Sequence, residues 1–219
     1  MVRRAPRYIP KIAPDPSLTE AALAALDAGE LRGLIRDVIP WLDEPTHARL
    51  VNALIDRAAR NASGWTPGTP TEQAVNAIVT FAEAARRTGY ADPSQVDDYL
   101  RQGSNAFLAK DYRVAARIFR ALLLPLGGGD IDFGQHEMPD EMLGVNLAEC
   151  AAQYVVAVYM TNPPECRGET VLAAIEEVRG VGHFWEPLRE IERIAVETLP
   201  DFKEFLCEWR ALIEECARK

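Results

Sequence analysis

Helix start and stop signals recur along most of this 219-residue chain, whereas signals for strands are almost absent. Ser17-Leu-Thr-Glu20 has the pattern of a capping box, in which the hydroxyl and the carboxylate satisfy amides of the first helical turn. Thr69-Pro70-Thr71-Glu72 and Asp92-Pro93-Ser94-Gln95 combine a capping side chain with a proline at the first helical position. Gly89 suits the position just after a helix, where the backbone commonly adopts the left-handed conformation. The chain is therefore predicted to be all-α.

Apolar residues between these signals recur at the helical period, as in Leu31, Leu34, Ile35, Val38 and Leu42. Short connections between helices favour antiparallel helical hairpins. The longest predicted helix is apolar on nearly all sides, which favours a central position for it. The predicted helices cover 17–28, 30–43, 46–60, 70–88, a pair within 93–125, 139–160, 168–179, 187–198 and 201–217.

The clearest linker lies at residues 61–70, Asn-Ala-Ser-Gly-Trp-Thr-Pro-Gly-Thr-Pro, which are rich in turn formers. Before the first predicted helix, the chain is basic and interrupted by prolines. We expect a flexible basic arm at 1–16, an N-terminal helical block at 17–62 and a main helical domain at 70–219.

Residues 93–125 have the spacing of one helical hairpin, with a tight turn at Lys110-Asp111-Tyr112. Gly103 would let the first helix approach the second closely, and Ala115 and Phe119 would pack against it. This pattern resembles one tetratricopeptide-type helical hairpin. The resemblance implies a unit that holds another protein.

Only one such unit is recognisable, although solenoids normally stack three or more repeats. Gln102 stands where the family has an apolar residue, and Pro125 comes early for the family's terminal proline. Two architectures therefore remain open. One is a TPR-like repeat with diverged neighbours, and the other is an irregular helical bundle in which the same residues satisfy helix packing.

Composition places the chain among soluble globular proteins, with 48% apolar and 26% charged residues. No segment approaches the ~18 consecutive apolar residues of a membrane span, and the basic N-terminus lacks the apolar core of a secretory signal. The four cysteines show no C-x-x-C spacing, so reduced thiols are expected. We expect a cytoplasmic protein.

The net charge of −9 is concentrated in the C-terminal part of the chain. Residues 130–219 carry 19 acidic and 8 basic side chains, whereas the two signs nearly balance before them. An acidic surface repels phosphate groups, so a nucleic acid partner is not expected. No membrane partner is expected either, because no segment is long and apolar enough to span a bilayer. A protein partner is expected, or a second copy of the chain in a homo-oligomer.

The candidate partner-binding residues lie on the hairpin and in two turn-forming segments. Asn105, Arg113 and Arg117 are polar residues of the hairpin and are predicted to face a groove. Trp65 and Trp185 stand beside prolines and glycines. Such rings anchor protein interfaces when they are exposed and join helices when they are buried.

Ligating oxygens cluster at residues 130–141. Asp130, Asp132 and Glu141 fall at positions 1, 3 and 12 of a calcium loop, but Gly134 and Gln135 occupy positions that need an oxygen ligand and a glycine. Acidic residues here would equally stabilise the N-terminus of the predicted helix that follows, where the helix dipole is positive. A cation site is kept as an alternative.

No catalytic constellation is recognisable. The three histidines lie far apart, and Gly127-Gly128-Gly129 lacks the lysine of a phosphate-binding loop. No catalytic residue and no cofactor is predicted. The sequence favours a non-catalytic helical scaffold or adaptor that binds a protein partner. The alternatives are a metal-dependent enzyme with a carboxylate site near 130–141 and a structural subunit of an oligomer.

Overall fold

A computed structural model describes residues 16–61, 64–134, 139–183, 187–198 and 209–214. The predicted basic arm lies outside the described residues except for Pro16, and the predicted helix at 201–217 is described only at 209–214, where it is helical.

The described residues form α-helices joined by short connections, which confirms the all-α prediction. An isolated bridge between Tyr90 and Asp132 is the single strand-like pairing among them. Short 3-10 helices lie at Ile39–Trp41 and Val181–His183. None of the described helices is both long and apolar enough to span a membrane. The helices are α1 (Pro16–Ala25), α2 (Ala28–Val38), α3 (Glu44–Arg60), α4 (Glu72–Thr88), α5 (Pro93–Leu108), α6 (Tyr112–Gly127), α7 (Pro139–Met142), α8 (Leu147–Thr161), α9 (Pro164–Glu177) and α10 (Pro187–Thr198).

Two compact units divide the chain, one at 1–47 and one at 48–219. In the first unit, α1 and α2 contain no buried residue. Asp27 caps α2 by accepting hydrogen bonds from the amides of Gly29 and Glu30, and the Glu30 carboxylate accepts one from the Asp27 amide. The amides hold the pKa of Asp27 below its ordinary value. The second unit contains the apolar core.

The core of the second unit is built around α6 and α8. Helix α6 packs against α4, α5 and α8, and α8 also packs against α9 and α10. Ten residues of α8 are buried, which confirms the central position predicted for this apolar segment.

The predicted hairpin is formed by α5 and α6, which three residues connect. Gly103, Ala115 and Phe119 are all buried in it. A Cβ atom on Gly103 would lie 2.8 Å from Cε1 of Phe119, so the ring occupies the space that the glycine leaves. Such packing is common to repeats and bundles. The TPR-like character of the hairpin therefore stays a prediction.

The prediction of one helix over 139–160 is wrong, because the chain breaks between α7 and α8. The amide of Val145 donates to Oδ1 of Asp97 at 2.8 Å, which ties the break to α5. Asn146 then caps α8, since its Oδ1 accepts from the amide of Glu149 at 3.0 Å. Asn146 is a capping residue inside an apolar segment, and it marks the start of α8. The hydrogen bond from Val145 to Asp97 holds the break before α8 in place.

Several other predicted ends are also shifted, such as that of the helix predicted over 168–179, which begins at Pro164 as α9. Helix α1 begins at Pro16, which places Ser17 inside the helix rather than at its cap. Helix α4 begins at Glu72 with Thr71 as its cap, so Pro70 lies outside it. Helix α6 continues through the buried Pro125 to Gly127. The caps at Gly89 and Asp92 are as predicted.

Candidate functional site

A groove of about 540 Å³ lies between α6, α8 and α9. Helix α6 supplies three arginines to one wall, Arg113, Arg117 and Arg120. Positions separated by three or four residues share one face of a helix, so this wall follows directly from the sequence spacing. We refer to this feature as the α6–α8–α9 groove.

Ion pairs fix two of the three arginines of the groove. Arg117 bonds the carboxylate of Glu72 and donates to Oδ1 of Asn76 at 2.9 Å. Arg120 donates to Oε1 of Glu177 at 2.9 Å. Arg113 is exposed and forms no ion pair with the described residues. Two guanidinium groups of the wall are therefore held by carboxylates, while that of Arg113, one turn before Arg117, is not paired within the described residues.

Tyr154 and Glu177 connect α8 to α9 inside the groove. The hydroxyl of Tyr154 donates to Oε2 of Glu177 at 2.6 Å. Burial, followed by the bond to this carboxylate, raises the pKa of Tyr154 well above its ordinary value. The tyrosine therefore stays protonated and acts as a donor rather than as an acid or base. With both carboxylate oxygens engaged, Glu177 offsets only part of the positive charge of the α6 wall.

A second concavity, of about 220 Å³, lies in the second unit between α3, α5 and α8. Two ion pairs hold α3 over it. Nη2 of Arg101 lies 2.8 Å from Oδ1 of Asp56, and Nη2 of Arg60 lies 3.1 Å from Oε1 of Glu149. No residue of α3 is buried. Ion pairs therefore contribute to holding this helix, alongside its half-buried apolar residues, and we refer to the feature as the α3–α5–α8 cleft.

Cys150 lies in the wall of the cleft but is not suited to nucleophilic chemistry there. Its side chain is buried, and burial together with the charge of Glu149 raises its pKa to about 12, against the opposing effect of a hydrogen bond with Ser104. A thiol is a poor nucleophile, because the thiolate is the reactive form. Cys150 therefore serves as a neutral wall residue.

The predicted partner-binding residues are only partly brought together. Arg113 and Arg117 both line the groove, while Asn105 is half-buried on α5 and is not part of its lining. The Oδ1 atom of Asn105 is buried and has no hydrogen-bond partner in the described chain. Trp65 is 47% exposed in the segment before α4, away from the groove lining. Trp185 lies outside the described residues.

The predicted carboxylate cluster does not assemble into a metal site within the described chain. Oδ2 of Asp130 pairs with Nε of Arg86 at 2.8 Å, and the Asp132 carboxylate accepts from the amide of Gly134. Glu141 is exposed on α7. Among the residues that the structure describes, no three His, Cys, Asp or Glu side chains lie close enough to hold a metal ion.

Several site residues were missed from the sequence. Arg120 could have been found, because it follows Arg117 by three residues and so shares its helix face. Gln153, which lines the α3–α5–α8 cleft, also left a signal, since a buried polar residue within an apolar helix is unusual. Tyr154 and Glu177 left none, because they meet only through the packing of α8 on α9.

Comparison with known proteins assigns no family. No family model, no curated protein and no solved structure matches the chain.

Proposed function

We propose that this protein is a cytoplasmic, non-catalytic helical adaptor that binds an acidic segment of a protein partner in the α6–α8–α9 groove. The observation that carries the proposal is the arginine wall of α6. Three guanidinium groups line the groove, and the carboxylates of Glu72 and Glu177 pair with two of them, which leaves the charge of Arg113 unpaired within the described residues, in a chain with a net charge of −9. A basic groove attracts acidic segments through complementary charge.

The groove has the composition of a peptide-binding surface. Its remaining lining combines a tyrosine with small and medium side chains, Ala116, Val158, Thr161, Asn162, Thr170, Ala173 and Ala174. Small side chains leave room for a peptide backbone, and the hydroxyls of Thr161 and Thr170, which donate to carbonyls of their own helices, can still accept from peptide amides. Recognition of acidic motifs by arginine clusters is a recurrent binding mode. The TPR-like resemblance of α5 and α6 agrees with this proposal.

Arg113 and Arg117 are the residues to test. We expect Arg113→Ala with Arg117→Ala to weaken binding of a fluorescein-labelled poly-glutamate peptide by at least about tenfold, roughly 1.4 kcal/mol. Fluorescence anisotropy at low and at physiological salt measures the affinity, which should fall with added salt because exposed charges are screened.

The matched control changes two exposed arginines outside the groove, Arg57→Ala with Arg87→Ala. This pair removes the same charge and should leave the affinity within about twofold. An equal loss in both double variants would show that net charge, and not the groove, holds the peptide. Pull-down from native lysate with the same two variants then identifies the partner.

A further inference from the structure

Glu177 places a carboxylate of the chain itself inside the α6–α8–α9 groove. Nη2 of Arg120 donates to its Oε1 at 2.9 Å, and the hydroxyl of Tyr154 donates to its Oε2 at 2.6 Å. All three side chains line the groove. A guanidinium and a hydroxyl thus hold one carboxylate together, through the charge-assisted bonds by which proteins bind such groups. We refer to these two donors as the Arg120–Tyr154 subsite.

The bonds of Glu177 are of a kind that an incoming carboxylate can replace. The side chain of Arg120 is 63% exposed and that of Glu177 is 28% exposed, so solvent reaches both charges. Ion pairs with such exposure contribute little net stability, because water competes for the two partners. Nε and Nη1 of Arg120 form no hydrogen bond with the described residues, so one nitrogen holds the guanidinium. Exchange of Glu177 for another carboxylate therefore keeps the same bonds at little cost.

Arg113 supplies the contact from which a partner could begin this exchange. It lies seven residues before Arg120 on the same wall of the groove, about 10 Å along α6. Its side chain is exposed and forms no ion pair with the described residues. A segment with several acidic side chains can therefore bind Arg113 through one carboxylate and reach the Arg120–Tyr154 subsite with another. The first contact holds the second carboxylate at a high local concentration.

We propose that Arg120 and Tyr154 form a subsite for an acidic side chain of the partner, and that Glu177 occupies this subsite until the partner displaces it. This inference rests on the proposed function, since the groove must bind an acidic segment for the exchange to take place. Glu177 is then a competitor inside the groove. Its carboxylate makes binding of the partner weaker than the two donors alone would allow.

Removal of the competitor should strengthen binding. We expect Glu177→Ala to tighten binding of the fluorescein-labelled poly-glutamate peptide at least about fivefold, measured by fluorescence anisotropy. The matched control is Glu176→Ala, which removes an equal charge from the next position of α9, outside the groove lining, and also releases an arginine, Arg179. It should change the affinity by at most about twofold.

Two results of this comparison would overturn the proposal. Equal gains in Glu177→Ala and Glu176→Ala would show an effect of net charge rather than competition at the subsite. A loss of affinity in Glu177→Ala, with far-UV circular dichroism showing an unchanged helix content, would show that Glu177 positions the groove for the peptide instead of competing with it.

A double-mutant cycle identifies Arg120 as the group that Glu177 releases. Arg120→Ala should weaken peptide binding at least about fivefold more in the Glu177→Ala background than in the parent protein, because Glu177 shares its guanidinium in the parent. Additive effects of the two substitutions would overturn the assignment of Arg120.

Acetate tests the Arg120–Tyr154 subsite without the peptide, since it matches the part of Glu177 that Glu177→Ala removes. Sodium acetate at about 50 mM should shift the amide NMR signals of Val158 and Ala174 in this variant, beyond the effect of sodium chloride at equal ionic strength. The parent protein should not respond, because Glu177 fills the subsite. Arg120→Ala or Tyr154→Phe in the same background should weaken the response at least about fivefold.

The two proposals fail separately. If acetate enters Glu177→Ala but no variant binds the peptide, the proposed function is refuted while the Arg120–Tyr154 subsite stands as a carboxylate site. If the parent binds the peptide but Glu177→Ala does not respond to acetate, or Glu177 and Arg120 show no coupling, the proposed function stands and the subsite is refuted.

Discussion

At the scale of single residues, Gly103 shows how one missing side chain sets the distance between two helices. The ring of Phe119 lies where the Cβ of any other residue would be, with its Cε1 at 2.8 Å and its Cδ1 at 3.1 Å from that position. Phe119 is fully buried, so its ring has no open space into which to move. The close approach of α5 and α6 therefore depends on glycine.

We expect Gly103→Ala to lower the free energy of unfolding by about 1–3 kcal/mol, the usual cost of overpacking a core. Gly33→Ala is the matched control, since no atom lies within 4 Å of its Cβ position and the residue sits inside α2. There alanine should be neutral or stabilising by up to about 1 kcal/mol, because it favours the helix. Urea unfolding measures both; similar values for the two variants would contradict the packing described for Gly103.

At the scale of elements, an ion pair joins α10 to the helical segment 209–214. Nε and Nη2 of Arg210 donate to the two carboxylate oxygens of Glu192, each at 2.8 Å. The hydrogen bond with Arg210, and then its charge, hold the pKa of Glu192 below the ordinary 4.5, against the opposing effect of burial. A carboxyl with a lowered pKa stabilises the fold above its unfolded pKa, and the effect is lost as pH falls through its folded pKa.

We expect Glu192→Gln to lower stability at pH 7 by at most about 1 kcal/mol, since Arg210 is largely exposed. The difference from the parent protein should shrink as pH falls below the ordinary 4.5 and vanish once pH lies below the lowered pKa of the folded state, where Glu192 is neutral in both states. Glu169→Gln, an exposed carboxylate of α9, is the control and should show no such pH dependence. Thermal unfolding across this pH range measures the effect, and a pH-independent difference would contradict the ion-pair account.

At the scale of the whole molecule, burial is distributed very unevenly. No described residue of α1, α2 or α3 is buried, whereas ten residues of α8 are. Large apolar side chains stand exposed in the first unit, with Trp41 at 84%, Leu18 at 69% and Leu34 at 48%. Regions with few buried contacts open at low free-energy cost.

We expect the amides of α1 and α2 to exchange with deuterium several orders of magnitude faster than those of α8, after correction for intrinsic rates. Hydrogen exchange with mass spectrometry over a dilution series measures this. Slow exchange of α2 that disappeared on dilution would show that the exposed apolar residues are covered in an oligomer. Slow exchange at every concentration would contradict the expectation.

The sequence by itself determined the helical class and most helix positions, because capping residues and apolar periodicity act over a few neighbouring residues. It also placed Arg113 and Arg117 on one face, since helix geometry alone aligns them. Only the tertiary structure decided that 139–160 breaks at Asn146, because Asp97 of another helix holds the break. The tertiary structure alone brought Tyr154 into contact with Glu177 and placed Gln153 in the wall of the cleft. These sites join residues that are distant in sequence and that meet only when helices pack.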